Sequence, residues 1–411
     1  MATKTNRDKN IANQRGSRFR EVILNPRTSF LNWYDDYFRH QTREFRYLVM
    51  LIVFLVCFGL VMVLSSSNVD SIITSGNPFR SFAIQLAIGV AGIVAMFWLS
   101  NRDLEQIQRF GLRLFVISLI GQCLLLIPGL GRSSGGNSNW INFFGATIQP
   151  SEFLKLGLII YLAGVLSQNI DTLWDWRTGG LQILIAGFGS AGLVLIIGSD
   201  LGTAAVIMVI VFALAYLAGL PSVHLTKFVL IAGAVGLLAA VATPSRVTRL
   251  LTFLNFSDTS DAGANWQVSH GIWALASGGI FGTGLGQAKL NWGWVPEVEN
   301  DFIFTSIGEE WGFIGAVFVL LLFFALFVML RKIANDSNNP FVSLTTFGIM
   351  LWITLQALIN IAVVLDLFPT LGVPLPLISK GGSSLLAVLM ALGVVLSFAR
   401  SQAPAPVRKR R

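Results

Sequence analysis

Apolar stretches long enough to cross a lipid bilayer recur along this chain and constrain its fold more than any other feature. A membrane-spanning helix needs about 20 mainly apolar residues. Ten such stretches lie near 47–66, 79–99, 110–130, 150–167, 180–198, 202–219, 225–243, 303–330, 341–366 and 381–399. Charged residues make up 12% of the chain and hydrophobic residues 54%, which leaves too few charges to cover a soluble surface. The sequence therefore predicts an all-α polytopic membrane protein with about ten transmembrane helices.

The positions of the basic residues predict the orientation of these helices. With both termini on the cytoplasmic side, 22 of the 29 Lys and Arg residues lie in inner segments, as the positive-inside rule requires. This topology gives a basic tail at 1–46, a membrane domain at 47–400 and a second basic tail at 401–411. It also places the largest loop, residues 244–302, on the extracytoplasmic side between helices 7 and 8.

The two tails carry the basic excess of the chain, so its net charge of +8 indicates an anionic membrane surface rather than nucleic acid. Within the first tail, residues 28–46 place aromatic side chains on one helical face. This pattern predicts a helix that lies in the inner membrane interface. A helix that docks a partner protein is the alternative. The aromatic residues of that face are Phe30, Trp33, Tyr34, Tyr37 and Phe38.

Metal, disulfide and nucleotide sites have little support in the sequence. Cys57 and Cys123 both lie in apolar stretches, which predicts small core residues. The three histidines are far apart, so neither a metal site nor a catalytic triad is expected. The glycines of 278–286 are not followed by the Lys-Ser/Thr of a phosphate loop, and tight turns after an interfacial helix explain them better.

Charged residues concentrate in the large outer loop. One alternative is a solvated loop with incidental ion pairs, and the other is a site that combines carboxylates with cations. Arg246 and Arg249 are spaced i,i+3, so in a helix they share one face and can hold a phosphate or pyrophosphate group. The charged residues of the loop are Arg246, Arg249, Asp258, Asp261, Lys289, Glu297, Glu299 and Asp301.

A second group of ionisable residues lies at or within the apolar stretches. Glu152 and Lys155 can pair across one helical turn, either as a structural ion pair or on a substrate path. Asp200 precedes a span, where capping alone could explain it. Adjacent acids at Glu309 and Glu310 must be protonated, paired or turned toward a polar cavity.

The start of the last span combines a cation with hydroxyl groups. Lys380 is followed by two glycines and then by Ser383 and Ser384. Free backbone N–H groups and the helix dipole make such an end suitable for binding an anion. Simple helix capping is the alternative.

Four blocks, in this order, resemble the SEDS family of cell-wall proteins. They are Gln149-Pro150-Ser151-Glu152-Phe153-Leu154-Lys155, Asp200-Leu201-Gly202-Thr203, the stretch from Val295-Pro296-Glu297 to Gly308-Glu309-Glu310, and Leu375-Pro376-Leu377-Ile378-Ser379 with Gly381-Gly382-Ser383-Ser384. The resemblance covers about residues 45–400. It implies a ten-helix fold and a peptidoglycan glycosyltransferase that polymerises lipid II. It also implies a class B penicillin-binding protein and other division membrane proteins as partners.

The resemblance further implies roles for individual residues. Asp261, rather than the neighbouring Asp258, corresponds to the family's catalytic carboxylate, a general base for a sugar hydroxyl. The expected cations for the leaving pyrophosphate are Arg246, Arg249 and Lys380. Further substrate contacts are expected from Glu152, Lys155, Glu297, Ser383 and Ser384. No cofactor is implied, and room is left for a divalent cation.

The chain departs from the family pattern at four places. Asn139 replaces an Arg, Ser199 replaces a Pro and Lys380 replaces an aromatic residue, and Thr370-Leu371 lacks a Lys that the family often has. The long basic N-terminal tail, the Gly381–Leu386 segment and the 244–302 loop favour the division members over the elongation and sporulation members, and thus a location at the division septum. Two alternatives stay open: a lipid II transporter lined by Glu152, Lys155, Glu309 and Glu310, and a scaffold without catalytic activity.

Overall fold

The computed structural model describes residues 41–134, 137–143, 146–168, 180–242, 244–253, 264–289 and 298–401. The first part of the chain forms three long helices, a small sheet and a fourth helix. The helices are α1 (Arg43–Ser75), α2 (Arg80–Ser100), α3 (Leu104–Leu124) and α4 (Pro150–Gln168). The strands between α3 and α4 are β1 (Gly131–Ser134), β2 (Asn137–Phe143) and β3 (Ala146–Ile148).

The rest of the described chain is helical. A π-helical turn (Leu184–Phe188) joins α5 (Leu181–Ile183) to α6 (Gly189–Ile196). The helices that follow are α7 (Leu201–Leu217), α8 (Ser222–Val241), α9 (Pro244–Phe253), α10 (Ala264–Gly278), α11 (Ile303–Asn335), α12 (Pro340–Val364) and α13 (Gly382–Ser401).

The predicted apolar stretches all form helices. Among the described residues, eight helices are long and apolar enough to cross a membrane, and two shorter apolar helices cover Ile185–Ile196 and Leu201–Leu217. The fold is thus the predicted helical membrane fold, whereas the count of ten spans and their orientation remain predictions. The helices α1 and α11 each contain 33 residues, so both are longer than the predicted spans 47–66 and 303–330.

Local chemistry fixes the ends of several helices. The Thr42 hydroxyl accepts a hydrogen bond from the Phe45 N–H and caps the start of α1. Gly76 ends the same helix in the left-handed region at φ 70°, where glycine carries no steric penalty. Asn339 caps α12, and Pro340 follows at the first helical position, where its missing N–H costs nothing.

A three-stranded antiparallel sheet was not part of the predicted all-α fold. Its strand order is β1-β2-β3, and it lies in the Gly-, Ser- and Asn-rich segment between α3 and α4. Pairs such as Ile141 with Ile148 form its ladder. Hydrogen bonding within this ladder satisfies backbone groups that a loop over the helix ends would otherwise leave without partners.

Helices α4, α12 and α13 form the centre of the domain, and close backbone contacts hold them to their neighbours. α13 packs along α2, and α3 packs along α4. A Cβ atom on Gly157 of α4 would lie 2.6 Å from the Phe115 nitrogen, so glycine is required for this approach. By contrast, α8 packs against α7 and α9 at the edge, with Phe228 as the buried side chain among its described residues.

The structure corrects one prediction about side-chain location. Cys57 and Cys123 are both free and exposed on the helix bundle rather than small core residues. A thiol is apolar enough to face lipid, so an apolar stretch does not distinguish a lipid-facing cysteine from a buried one. The interfacial helix predicted at 28–46 falls largely outside the described residues, as do the tails before residue 41 and after residue 401.

Candidate functional site

The first turns of α4 form the centre of a buried polar network. The Lys155 ammonium donates to Glu152 Oε1 at 2.8 Å, and the two side chains are 1% and 2% exposed. The i,i+3 pair predicted from the sequence is therefore present. Glu152 Oε2 is buried and has no hydrogen-bond partner, so the carboxylate is not fully satisfied by the described protein groups.

Helix α12 completes the surroundings of Lys155. The ammonium also donates to Gln356 Oε1 at 2.9 Å and lies 4.9 Å from the centre of the Trp352 ring. The Gln356 amide donates in turn to the Pro374 carbonyl at 3.1 Å and to Ser384 Oγ at 3.5 Å. This chain of contacts connects the predicted site residues Glu152, Lys155 and Ser384.

A second branch of the network starts at Asp200, the N-cap of α7. Its carboxylate accepts from the Thr203 N–H at 2.9 Å and from Asn139 Nδ2 at 3.0 Å. Asn139 also donates to Ser151 Oγ at 2.8 Å, one residue before Glu152. Asn139, which departs from the family pattern, thus connects strand β2 to both α4 and α7, and capping is one observed role of Asp200.

Arg246 connects the loop helix α9 to this branch. Its guanidinium donates to the Ser199 carbonyl at 2.7 Å and to the Ala239 carbonyl at 3.0 Å. Ser199 lies in the left-handed region at φ 52°, directly before Asp200. Because α9 is helical, Arg246 and Arg249 have the i,i+3 spacing on one face that was predicted.

The other two predicted groups near α13 contact different partners. The Lys380 ammonium pairs with Glu299 at 2.9 Å, and the Lys380 N–H donates to the Glu299 carbonyl at 2.8 Å. Ser383 Oγ accepts from the Gln149 N–H at 3.0 Å, which joins the start of α13 to the residue before α4. The network therefore extends across the ends of α4, α7, α9 and α13.

The adjacent acids Glu309 and Glu310 are both buried, and each accepts hydrogen bonds. Glu309 Oε1 accepts from the Lys289 N–H at 2.9 Å and from the Ser277 hydroxyl at 3.4 Å. Glu310 Oε1 accepts from the Ser65 hydroxyl at 2.5 Å. Glu309 thus binds the outer loop, and Glu310 binds α1.

Three predicted site residues, Asp258, Asp261 and Glu297, lie outside the described residues. Among the residues that are described, no group of three or more His, Cys, Asp or Glu side chains could hold a metal ion.

Sequence reasoning missed the α12 partners Trp352, Gln356 and Asn360. Asn360 Nδ2 donates to the carbonyls of Asp301 and Val373, at 2.9 and 2.8 Å. The three α12 residues are spaced i,i+4, so they repeat on one face of an otherwise apolar helix. Side chains with polar groups, repeated every fourth residue inside an apolar span, would have identified this face from the sequence.

Comparisons with known proteins identify the family to which this chain is similar. The model of the FtsW/RodA/SpoVE family, described as a cell cycle protein, matches residues 46–403. Stage V sporulation protein E of Bacillus subtilis (strain 168) is 36% identical over 355 residues, which cover 86% of this chain and 96% of that protein. The probable peptidoglycan glycosyltransferase FtsW of Trichlorobacter lovleyi is 33% identical over 360 residues, covering 88% and 94%.

A solved structure supports the same assignment. One chain of a peptidoglycan synthase complex, studied for its structural coordination of polymerization and crosslinking, aligns with a TM-score of 0.69 and 27% identity. The alignment covers 86% of this chain and 97% of that chain. This chain belongs to the FtsW/RodA/SpoVE family of cell cycle proteins.

Proposed function

We propose that this protein is a peptidoglycan glycosyltransferase of the SEDS family that polymerises lipid II at the outer face of the bacterial cytoplasmic membrane. Relatives named peptidoglycan glycosyltransferase FtsW match over most of this chain. The observation that carries the proposal is the buried polar network of α4, α7 and α12, joined by Arg246 to the helix α9. Ionisable residues buried in a membrane domain are costly and mark a functional site by default, which favours an enzyme over a scaffold.

The proposed reaction needs one base. A sugar hydroxyl of one lipid-linked substrate attacks the anomeric carbon of the glycan chain on another, and the bond from that carbon to the pyrophosphate breaks. The electron pair leaves with the lipid pyrophosphate, and the hydroxyl proton passes to the Asp261 carboxylate. General-base catalysis of this kind contributes about 10²–10⁴-fold. Asp261 belongs to the same outer loop as α9 and α10.

The leaving pyrophosphate needs cations. Arg246 and Arg249 project from α9, and the fork of N–H donors on a guanidinium suits phosphate oxygens. Arg246 already donates to two carbonyls, which fixes the place of its remaining donors. Lys380, Ser383 and Ser384 at the start of α13 are the further proposed contacts, with Glu152, Lys155 and Glu297.

The relatives also support a partner and a cellular role. The structure aligned above is that of a complex that couples polymerization with crosslinking, so we assign this chain a class B penicillin-binding protein as partner. Several relatives that match at 33–34% identity are named FtsW, which favours septal wall synthesis during division over elongation. Other division membrane proteins are then expected neighbours at the septum.

Replacement of Asp261 tests the catalytic proposal. Purified Asp261→Ala protein, given lipid II and a partner whose own polymerase activity has been excluded, should form no glycan chains above background. Asp258→Ala is the matched control, since it removes a nearby carboxylate of the same loop, and we expect it to keep most of the parent activity. A fully active Asp261→Ala protein would remove Asp261 from the mechanism. Glycan formation by the parent would exclude both a pure transporter and a pure scaffold.

A further inference from the structure

Two helices are much longer than a bilayer is thick. α1 and α11 each contain 33 residues, which corresponds to about 50 Å of helix, against a hydrocarbon core of about 30 Å. α11 is interrupted at Gly312, where φ is 68° and ψ is −165°. The residues from Gly312 to the end of α11 span about 35 Å, so the break lies near one edge of the hydrocarbon core.

Side-chain burial changes at the same point. The α11 residues before the break, 303–310, are all buried. After the break, large apolar side chains such as Phe313, Ile314, Phe318 and Leu321 are exposed, as expected for a surface that faces lipid. Gly312 therefore marks the place where α11 passes from a protein-covered segment into the bilayer.

The loop that follows α10 inserts its backbone into this break. The N–H groups of Phe313 and Ile314 donate to the carbonyls of Gly279 and Ile280, at 2.8 and 3.2 Å. In the opposite direction, the Thr283 N–H donates to the Glu309 carbonyl at 2.9 Å. The Gly284 N–H donates to the Glu310 carbonyl at 3.0 Å. We call residues 278–284 and 308–314 together the clasp.

Hydrogen bonding across the clasp has a physical reason. Non-helical backbone at membrane depth is tolerated only where its N–H and C=O groups find partners in the protein. Both the broken helix and the loop have such groups, and each supplies the partners that the other needs.

At two positions of the clasp, Gly282 and Gly312, the backbones approach so closely that only glycine fits. A Cβ atom on Gly282 would lie 2.1 Å from the Glu310 carbonyl oxygen, and one on Gly312 would lie 2.4 Å from the Gly282 nitrogen. Gly282 also has a φ of 83°. By contrast, Gly286 has a similar φ of 73°, but nothing lies within 4 Å of its Cβ position.

The two acids that no step of the proposed reaction uses hold this clasp to its surroundings. The Glu309 carboxylate accepts a hydrogen bond from the N–H of Lys289, which follows the clasp in the chain. The Glu310 carboxylate accepts one from the Ser65 hydroxyl of α1. Ser65 is about 22 residues into α1, a distance of about 33 Å, so it lies at a comparable depth to Gly312. Carboxylates are tolerated at the edge of the hydrocarbon far better than at its centre.

The tip of the clasp is apolar and points away from the protein. Phe281 is 82% exposed and Ile280 is 62% exposed. Backbone pairing places them beside Phe313, which is 66% exposed, and beside the lipid-facing side of α11. Because this tip continues the lipid-facing surface, acyl chains of the outer leaflet are the occupant that the structure favours.

We propose that the clasp is a membrane anchor that inserts Ile280 and Phe281 into the acyl region of the outer leaflet and thereby holds the loop of residues 264–289 at the lipid–water interface. Its functional consequence rests on the proposed function, since the pyrophosphate of a lipid-linked substrate lies at that same interface. The anchor itself does not depend on which residue is the base.

Depth measurement by spin-label electron paramagnetic resonance tests the anchor directly. In a Cys57→Ser/Cys123→Ser background, a nitroxide is placed at Phe281→Cys in vesicles of phosphatidylcholine and phosphatidylglycerol. Phe324→Cys on the exposed side of α11 is the lipid reference, and Asp70→Cys near the end of α1 is the aqueous reference. The label at 281 should be far less accessible to an aqueous nickel reagent than the label at 70, and its accessibility to oxygen should lie between those of the labels at 70 and 324. A label at 281 as accessible to nickel as that at 70 would overturn the proposal.

Closing of the clasp is tested with matched glycine substitutions. Gly282→Ala should transfer the 281 label to the aqueous phase and lower polymerisation about tenfold to a hundredfold, as expected when a site is displaced by about an ångström. Gly286→Ala carries the same backbone strain without the clash and should change neither readout. A label that stays in lipid in Gly282→Ala would show that the clasp does not hold the tip.

A second variant avoids any defect in folding. Phe281→Ser changes an exposed side chain and leaves the backbone pairing intact, so it should fold like the parent and lose activity in vesicles. Unchanged activity of folded Phe281→Ser would exclude a functional role for the anchor. If Asp261→Ala polymerised glycan while the 281 label remained in lipid, the proposed catalytic base would fail and the anchor would stand.

Discussion

Replacing Lys155 by methionine should strongly destabilise the protein, because Lys155 neutralises a carboxylate in the most buried part of the membrane domain. Its ammonium pairs with Glu152 at 2.8 Å and with Gln356 Oε1 at 2.9 Å. In Lys155→Met, the Glu152 carboxylate stays buried without its cation, and its Oε2 already has no hydrogen-bond partner. The Gln356 carbonyl keeps the Trp352 indole N–H as a donor, at 2.8 Å, so the cost comes mainly from Glu152.

The expected size of this effect follows from the burial of the pair. Removal of one partner of a buried ion pair costs about 3–5 kcal/mol, whereas replacement of both by well-packed hydrophobic residues of similar volume is often neutral or stabilising. Lys155→Met should therefore lower the free energy of unfolding by about 3–5 kcal/mol. The double variant Glu152→Leu/Lys155→Met replaces both partners by apolar residues and should be at most about 1 kcal/mol less stable than the parent.

Two measurements separate stability from function: unfolding curves in detergent and glycan polymerisation on lipid II. Both are made on the parent, the two single variants and the double variant. If Lys155 contacts the substrate, the double variant is stable and inactive. If the pair is purely structural, the double variant is both stable and active, and Lys155 leaves the substrate site. A double variant no more stable than Lys155→Met would refute the reasoning from buried charge.

Two further predictions concern stability. Gly157→Ala should destabilise the protein by about 1–3 kcal/mol through overpacking against the α3 backbone, and Gly233→Ala on α8, with nothing within 4 Å of its Cβ position, should be neutral or slightly stabilising in the same melts. Burial raises the pKa of the Asp366 carboxyl, so folding penalises its charged form at neutral pH. Asp366→Asn should therefore raise the melting temperature at pH 7, and Asn tolerates the left-handed backbone at φ 56°. This gain should disappear as the pH falls below the unfolded pKa of about 3.9.

The helices of this protein could be predicted from sequence because the bilayer imposes a simple rule: a span must be apolar and internally hydrogen-bonded. The same rule explains the errors at α1 and α11. Apolar composition ends where lipid ends, while the helical backbone continues under cover of other protein segments, as at Ser67 and Ser71 of α1, both buried beyond the predicted span. Composition therefore located the spans better than it located the helix ends.

The candidate site could be predicted only where its partners are close in sequence. Glu152 and Lys155 are three residues apart, and local spacing was sufficient to pair them. Gln356 is 201 residues from Lys155, and its role depends on how α12 packs against α4. Lys380 and Glu299 are 81 residues apart, so sequence spacing identified the cation but not its partner.

Several polar groups of this domain occur where a regular helix begins or breaks, in addition to those inside α12. Pro150 opens α4 just before Glu152, Asp200 caps α7, and Gly312 interrupts α11 beside Glu309. In hydrocarbon, helix interiors have no free backbone groups, so ends and breaks are the places where amides and carboxylates can meet. Each such place here is covered by another segment of the protein rather than by lipid, with strand β2 over Asp200 and the clasp loop over Gly312. A substrate that carries both a pyrophosphate and a lipid tail needs polar groups at covered helix ends and an apolar surface beside them. The ends of α4, α7 and α13 provide the polar groups within the membrane domain.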